Sequence, residues 1–226
     1  MLEPDFSTNL GPSNTIDAAD NATAPGTVSS VGLKSAIEFL LNWWPTGPWC
    51  LTAIKPDVKG VIETKTFQPN LAAQAERWIE KHQRDGRNIY YSVNRPTPKA
   101  YHKKAKKPEI TEVVGLHIDI DLPAGRDAEL EAQILERLRN HLWAPTCVVF
   151  SGGGFQALWR LQEPLNAQEN RDGDRVELLN KQLIKDLGGD PACFNIDRIL
   201  RLPGCINHPD EKKRKKGSCP GIGAGC

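Results

Sequence analysis

Two aspartates one residue apart, Asp119 and Asp121 in Ile118-Asp119-Ile120-Asp121, have the spacing that metal chemistry needs. In an extended strand alternate side chains share a face, so both carboxylates point one way while Ile118 and Ile120 turn into a core. Neighbouring carboxylates repel, and a hard cation between them relieves the repulsion. An all-oxygen site of this kind suits Mg2+ or Mn2+. The plainer alternative is that Asp121 ends its strand in a turn at Leu122-Pro123. A second element is Ser151-Gly152-Gly153-Gly154-Phe155-Gln156. Its glycines permit positive φ and close backbone approach, so successive N–H groups can cradle phosphate oxygens. On its own the same run is an ordinary hairpin turn, and it lacks the Gly-Lys-Ser/Thr ending of an ATPase phosphate loop. A third segment, Asn195 to Asn207, carries another carboxylate, Asp197, and two arginines, Arg198 and Arg201, suited to bidentate phosphate contact. A surface Asp–Arg pair without function is the alternative there.

These residues need elements to hold them. Val113 to Leu122 reads as the strand with the paired aspartates at its end. Thr146 to Phe150 and Phe155 to Leu161 read as apolar strands joined by the glycine turn. Further strands are expected at Trp49–Ile54 and Asn88–Val93. Helical spacing appears at Leu33, Ile37, Leu40 and Leu41. It recurs at Leu71, Ala75, Trp78 and Ile79, where Asn70 is a suitable N-cap, and at Leu130, Ile134 and Leu138. A long helix follows with Val176, Leu179, Leu183 and Leu187 on its core face, closed by Gly188-Gly189. Strands mixed with helices indicate an α+β or α/β domain with a central sheet.

Taken in order, the Asp-x-Asp strand, the Ser-Gly-Gly-Gly turn with its strand, and Asp-Arg-x-x-Arg-Leu-Pro-Gly-x-x-Asn resemble the archaeo-eukaryotic primase superfamily. The primase-polymerase domains of phages, plasmids and other mobile elements are the nearest likeness, covering about Leu33 to Gly217. The resemblance implies an α+β catalytic core, with a mixed or antiparallel central sheet flanked by helices. It implies template-directed nucleotidyl transfer on single-stranded DNA by a two-metal mechanism using Mg2+ or Mn2+. Asp119, Asp121 and Asp197 match the family's metal-binding and catalytic carboxylates. Ser151, Gly152, Gly153, Gly154, Gln156, Arg198, Arg201 and Asn207 match its nucleotide-binding positions. The family commonly has histidine where this chain has Gln156; glutamine supplies hydrogen bonds but no charge, leaving Arg198 and Arg201 to compensate.

The expected partners are single-stranded DNA, nucleoside triphosphates, and a helicase domain or protein of the kind that often follows such primases. With a formal net charge of +1, any nucleic-acid footprint must come from local clusters. Lys103, Lys104, Lys106 and Lys107 form the first candidate and Lys212 to Lys216 the second, though both fit ordinary solvated loops. Tyr90, Tyr91 and Trp44 are candidates for base stacking, against a core role. Residues 1–30 read as a flexible arm, 31–217 as the catalytic domain, and 218–226 as a tail or linker. No apolar run approaches the roughly 20 residues of a membrane span, and the N-terminus has no secretory pattern. A cytosolic protein with reduced thiols is the simplest reading of its six cysteines. Cys205, His208, Cys219 and Cys226 are a weak candidate for a zinc site, their irregular spacing favouring incidental thiols. Two rivals of other classes remain: a replication-initiator module that binds DNA without synthesis, and a metal-dependent nuclease. The latter usually wants a nucleophilic tyrosine or paired histidines, and His117 stands alone.

Overall fold

A computed structural model describes residues 30–123, 127–169, 171–215 and 221–222. The arm expected over residues 1–30 lies outside the described residues except for Ser30, which opens the first helix, and so does most of the tail expected over 218–226. The chain runs α1 (Ser30–Trp43), β1 (Trp49–Ile54), β2 (Ile62–Phe67), α2 (Ala72–Arg84), β3 (Asn88–Ser92), β4 (Arg95–Pro96) and β5 (Ile110–Asp121). It continues through α3 (Ala128–Arg139), β6 (Cys147–Phe150), β7 (Gly154–Asn166), α4 (Asp172–Leu187), β8 (Ile199–Arg201), β9 (Ile206–Asn207), α5 (Glu211–Lys215) and β10 (Gly221–Ile222).

The class is α+β, and the strands divide into two four-stranded antiparallel sheets, ordered β2-β1-β3-β8 and β4-β5-β7-β6, beside a β9–β10 ribbon. The second sheet is a wall between two cores. Val114, Val149 and Leu158 join α1, α2 and the first sheet, where Leu40, Leu51, Phe67 and Ile79 are buried. Ile118, Ile120, Phe155 and Ala157 join α3 and α4, whose Ile134, Leu138, Leu183 and Leu187 complete the second core. Truncating one such side chain, Leu138→Ala for example, costs about 2–5 kcal/mol.

Local details depart from the sequence pattern for identifiable reasons. Pro69 opens a 3-10 turn over Pro69–Leu71, so α2 starts at Ala72 and Asn70 lies inside the turn without capping it. Asp127 does cap α3, its Oδ1 accepting from Glu129 N and Leu130 N at 3.1 Å each. On α4, Leu179, expected on the core face, is 40% exposed while Asn180 is fully buried. Strand β2, unexpected from its sequence Ile-Glu-Thr-Lys-Thr-Phe, is an edge strand with Ile62, Glu63 and Lys65 exposed. Cys50, Cys193 and Cys205 are buried free thiols, but Cys147 is disulfide-bonded. That corrects the expectation of reduced thiols throughout, because pairing is not readable from spacing alone. Among the described residues no helix is long and apolar enough to cross a membrane.

Candidate active site

The carboxylates stand on the second sheet. Strands β5 and β7 pair with Asp119 opposite Gln156 and Asp121 opposite Gly154. Ile118 and Ile120 are buried behind them, so the period-2 pattern of the strand turns both aspartates to one side. The glycine turn closes at the same end: Ser151 N and Oγ donate to Gly154 O (2.8 and 3.1 Å), and Leu122 N donates to Gly153 O (3.0 Å). Gly152 takes φ +82°, a left-handed conformation that side chains resist. A Cβ at Gly154 would collide with Ile120 O, so the ladder at Asp121 requires glycine there.

A cleft of about 260 Å3 opens over this wall, lined by Asp119, Asp121, Ser151, Gly153 and Gln156. The facing wall contributes Tyr90, Asp190, Cys193, Arg198, Arg201 and Asn207. Much of that wall is irregular chain, and buried side-chain amides hold it in place of strand pairing. Gln83 Oε1 accepts from Ile206 N (2.6 Å) and its Nε2 donates to Ile206 O (3.2 Å). Asn88 grips His208 N and O in the same way (2.7 and 2.9 Å). Asn94 Oδ1 accepts from Val114 N and Gly115 N while Nδ2 donates to Ile196 O (3.0 Å). Asn180 joins His117 N (3.1 Å) to Phe194 O (2.9 Å). Gln156, with Nε2 toward Arg201 O (3.3 Å) and Oε1 toward Arg201 N (3.2 Å), links the second sheet to β8 of the first. A side-chain amide carries one acceptor and two donors, so each of these can satisfy a main-chain N–H and C=O together.

The charge balance of the cleft is uneven. Burial, then the charge of Asp121, drive the Asp119 carboxyl up to about 6 against the pull of Arg201; Asp190 adds to the rise and Arg198 opposes it. Cys193 Sγ lies 3.3 Å from Asp190 Oδ2 and 3.9 Å from Asp119 Oδ2, and its pKa is pushed to about 12, first by burial. The Arg201 guanidinium lies over the Tyr90 ring at 5.1 Å. His117, on the Asp119 face of β5, is fully buried and held near 3 by burial and then by Arg198, so it is neutral.

Among the described residues no group of three or more His, Cys, Asp or Glu side chains is gathered to hold a metal ion. The donor set instead fits an ion held by one or two carboxylates, with water and substrate phosphates completing its shell, as Mg2+ favours. The rise in the Asp119 pKa comes first from burial and then from the neighbouring charge of Asp121, with Arg201 and Arg198 pulling the other way.

The structure brings together Asp119, Asp121, Ser151, Gly153, Gln156, Arg198, Arg201 and Asn207. Asp197 is not among the lining residues; its Oδ1 accepts from Asn195 Nδ2. The third carboxylate in the cleft is Asp190, whose backbone N donates to Asp119 O (2.7 Å). Its signal in the sequence is the Gly188-Gly189 stop that ends α4 immediately before it. Gly152 and Gly154 support the turn without lining the cleft: a Cβ at Gly152 would stand 3.2 Å from Asn207 Cβ, and Asn207 Nδ2 donates to Ser151 O (3.0 Å). Gln156 turns its amide to the Arg201 backbone, so its influence on a phosphate would pass through Arg201. Of the basic loop, Lys103 pairs with Glu109 (2.5 Å) and Lys107 with Asp174 and Glu177 (2.8 and 2.6 Å). Lys104 and Lys106 are exposed. None of the four lines the cleft. Of the second basic run, Arg214 pairs with Asp57 and Lys215 with Glu211. Trp44 and Tyr91 are buried, leaving Tyr90 as the aromatic ring of the three that lines the cleft.

Comparison with known proteins agrees with this architecture. No curated protein sequence matches the chain. Among solved structures, the AEP domain of the cyanophage S-2L primase-polymerase (PrimPol) is similar with a TM-score of 0.58 at 18% identity, over 85% of this chain and 89% of that one. The catalytic domain of primase RepB′ in complex with initiator DNA is similar with a TM-score of 0.57 at 16% identity, over 84% and 83%. At such identities the likeness is one of fold. The family model described as the RepB DNA-primase N-terminal domain matches residues 65–222, a span that includes the cleft's carboxylates, glycine turn and arginines. This chain belongs to the RepB DNA-primase N-terminal domain family.

Proposed function

We propose that this primase domain is a polymerase in its own right, joining nucleotides on a single-stranded DNA template by nucleotidyl transfer. One observation carries the reading: two carboxylates on one strand and a pair of arginines line one cleft beside a glycine turn. Asp119 and Asp121 would hold Mg2+ or Mn2+, with Asp190 as the third carboxylate. When bound, the ions supply activation of the attacking 3′-hydroxyl and charge neutralisation at the leaving pyrophosphate. Arg198 and Arg201 take the triphosphate, their forks matching its oxygens. The Gly152–Gly153 backbone lies at the same end of the cleft, where N–H groups favour an anion. Gln156 and Asn207 set the positions of Arg201 and the turn. Tyr90 offers a ring against the nucleotide.

DNA is the partner in the RepB′ complex, and the same class of partner suits the exposed Lys104 and Lys106 here. A helicase is the companion to test, as a fused domain or a separate protein. The direct test is synthesis on single-stranded DNA with and without primer, each nucleotide set, and Mg2+ or Mn2+. Product that depends on metal and disappears in Asp119→Ala/Asp121→Ala supports a polymerase, and product without primer supports priming. Absence of product with salt-sensitive DNA binding retained would sink the catalytic reading in favour of a replication-initiator module.

A further inference from the structure

The turn that carries Arg198 into the cleft is held at one peptide from two sides. Arg198 N donates to Asn195 O (3.1 Å), closing a turn over residues 195–198, and Arg198 O accepts from Val93 N (3.2 Å). Within the turn Ile196 is 1% exposed. Its side chain packs so close to the first turn of α4 that a Cβ at Gly173 would stand 3.0 Å from Ile196 Cδ1. The Ile196 N–H donates to Glu177 Oε1 (3.2 Å), and its C=O accepts from Asn94 Nδ2 (3.0 Å). Two residues on, the Arg198 guanidinium donates through Nη2 to Ala192 O and lines the cleft.

Glu177 differs from the other grips on this wall in carrying a charge. Gln83, Asn88, Asn94, Gln156 and Asn180 hold their partners as neutral amides, and a glutamine at 177 could accept from Ile196 N as well. A carboxylate only 8% exposed is a costly choice unless it is paired. Lys107 supplies the pair: its Nζ lies 2.6 Å from Glu177 Oε2 and 2.8 Å from Asp174 Oδ1, one turn earlier on α4. The oxygens of one carboxylate are thus divided, Oε2 to the stretch before β5 and Oε1 to the turn that carries Arg198. One turn further along α4, Asn180 binds Phe194 O (2.9 Å), so the helix holds the segment at two successive points.

We propose that Glu177 is a positioning residue for Arg198: it fixes the Ile196 peptide, and through the turn the direction in which the guanidinium meets the triphosphate, while Lys107 braces its carboxylate. This rests on the reading of Arg198 as a triphosphate ligand. Glu177 is not among the residues that line the cleft, and it acts through Arg198. Bidentate contact with phosphate depends on the plane of the guanidinium fork. Without Glu177 the Ile196 N–H loses its acceptor, and a turn free to rock about the Asn94 bond no longer sets that plane.

The test is a double-mutant cycle on nucleotide binding. Binding of dATP and of ATP in the presence of Mn2+ is measured by calorimetry for wild type, Glu177→Ala, Arg198→Ala and the double variant, with binding of Mn2+ alone alongside. The expected result for Glu177→Ala is an about tenfold larger nucleotide dissociation constant, the size of one charge-assisted hydrogen bond. The double variant should bind no more weakly than Arg198→Ala, since a residue that acts through Arg198 then has nothing to act on. Mn2+ affinity without nucleotide should stay at the wild-type value. Glu177→Gln, which keeps an oxygen for Ile196 N, should recover most of the lost affinity. Equal nucleotide affinity in wild type and Glu177→Ala overturns the inference, as does an additive loss in the double variant or an equal loss of Mn2+ affinity. If Glu177→Ala does not fold, Lys107→Met runs the same cycle. With the brace gone, nucleotide affinity should fall in the wild-type background and not in the Arg198→Ala background; no fall in the former overturns the inference. Unchanged nucleotide affinity in Arg198→Ala, or a wild type that binds neither nucleotide, overturns the reading of Arg198 and the inference with it.

Discussion

The two walls of the cleft are built by different means. The β5–β7 wall is a main-chain ladder, registered from Glu112 opposite Asn166 to Asp121 opposite Gly154 with one irregularity near Val113. Its hydrogen bonds belong to the backbone, so a side-chain change there costs packing but leaves the ladder's bonds in place. The facing wall has short strands and a long irregular segment, and Gln83, Asn88, Asn94, Gln156 and Asn180 supply the pairing that the backbone does not. Removing one such amide leaves a buried N–H and C=O unpaired together, whereas a change on the ladder leaves the main-chain bonds intact. The lesson is that tolerance to substitution depends on which atoms make the bonds.

Gly154 is the place where the ladder should break that rule. Gly154→Ala would drive a Cβ into Ile120 O, so we expect a loss of about 3 kcal/mol by urea denaturation; a loss under half of that would show that the ladder can give. Next in size is Gln156→Leu, which keeps the volume and deletes the link to Arg201. The expected cost is about 2–3 kcal/mol from the two unpaired main-chain groups, with weaker nucleotide binding as Arg201 loses its hold. Retained stability would remove the contrast between the walls.

The charge on the ladder wall gives a prediction in pH. The folded Asp119 carboxyl is raised to about 6 from an ordinary 3.8, so its favourable share of stability is complete below about pH 4. That share is lost as pH rises through 6. Metal-free Asp119→Asn should match the wild type near pH 4 and exceed it near pH 8 by on the order of 2 kcal/mol. Equal stabilities at both pH values would deny the shift that burial and then Asp121 impose on Asp119. The smallest effect concerns the basic loop. Lys107 is tied to Asp174 and to Glu177, which holds Ile196 N (3.2 Å). Lys107→Ala should therefore cost about 1 kcal/mol and leave the salt dependence of DNA binding unchanged. Lys104→Ala should do the reverse, lowering the salt slope by about one.

What was legible in the sequence follows from the same distinction. Regular periodicity showed the Asp119–Asp121 strand, the glycine turn and the helices, because alternating burial writes itself into residue order. The division into two sheets did not show, since a strand's pattern does not name its neighbour. Edge strand β2 was hidden by its polar, exposed side chains. Asp197 and Asp190 lie seven positions apart in one irregular segment, and no periodicity there says which carboxylate turns inward. Asn180 has no distinguishing pattern beside Leu179, yet α4 turns the asparagine toward His117 and Phe194. A lone amide in an apolar stretch carries no mark of its partner.

The amide links also bear on when the cleft comes into being. Gln83 reaches Ile206 across 123 residues, Asn88 reaches His208 across 120, and Asn94 reaches Ile196 across 102. Contacts so distant in sequence close late, after the loop entropy between them has been overcome. During synthesis the chain emerges at about 5–20 residues per second, and the β5–β7 ladder has all its strands long before residue 208 appears. A nascent domain thus displays its carboxylates on a finished sheet with no arginines opposite them. It acquires the means to hold a triphosphate only once residues 196–208 have emerged and found their amide partners.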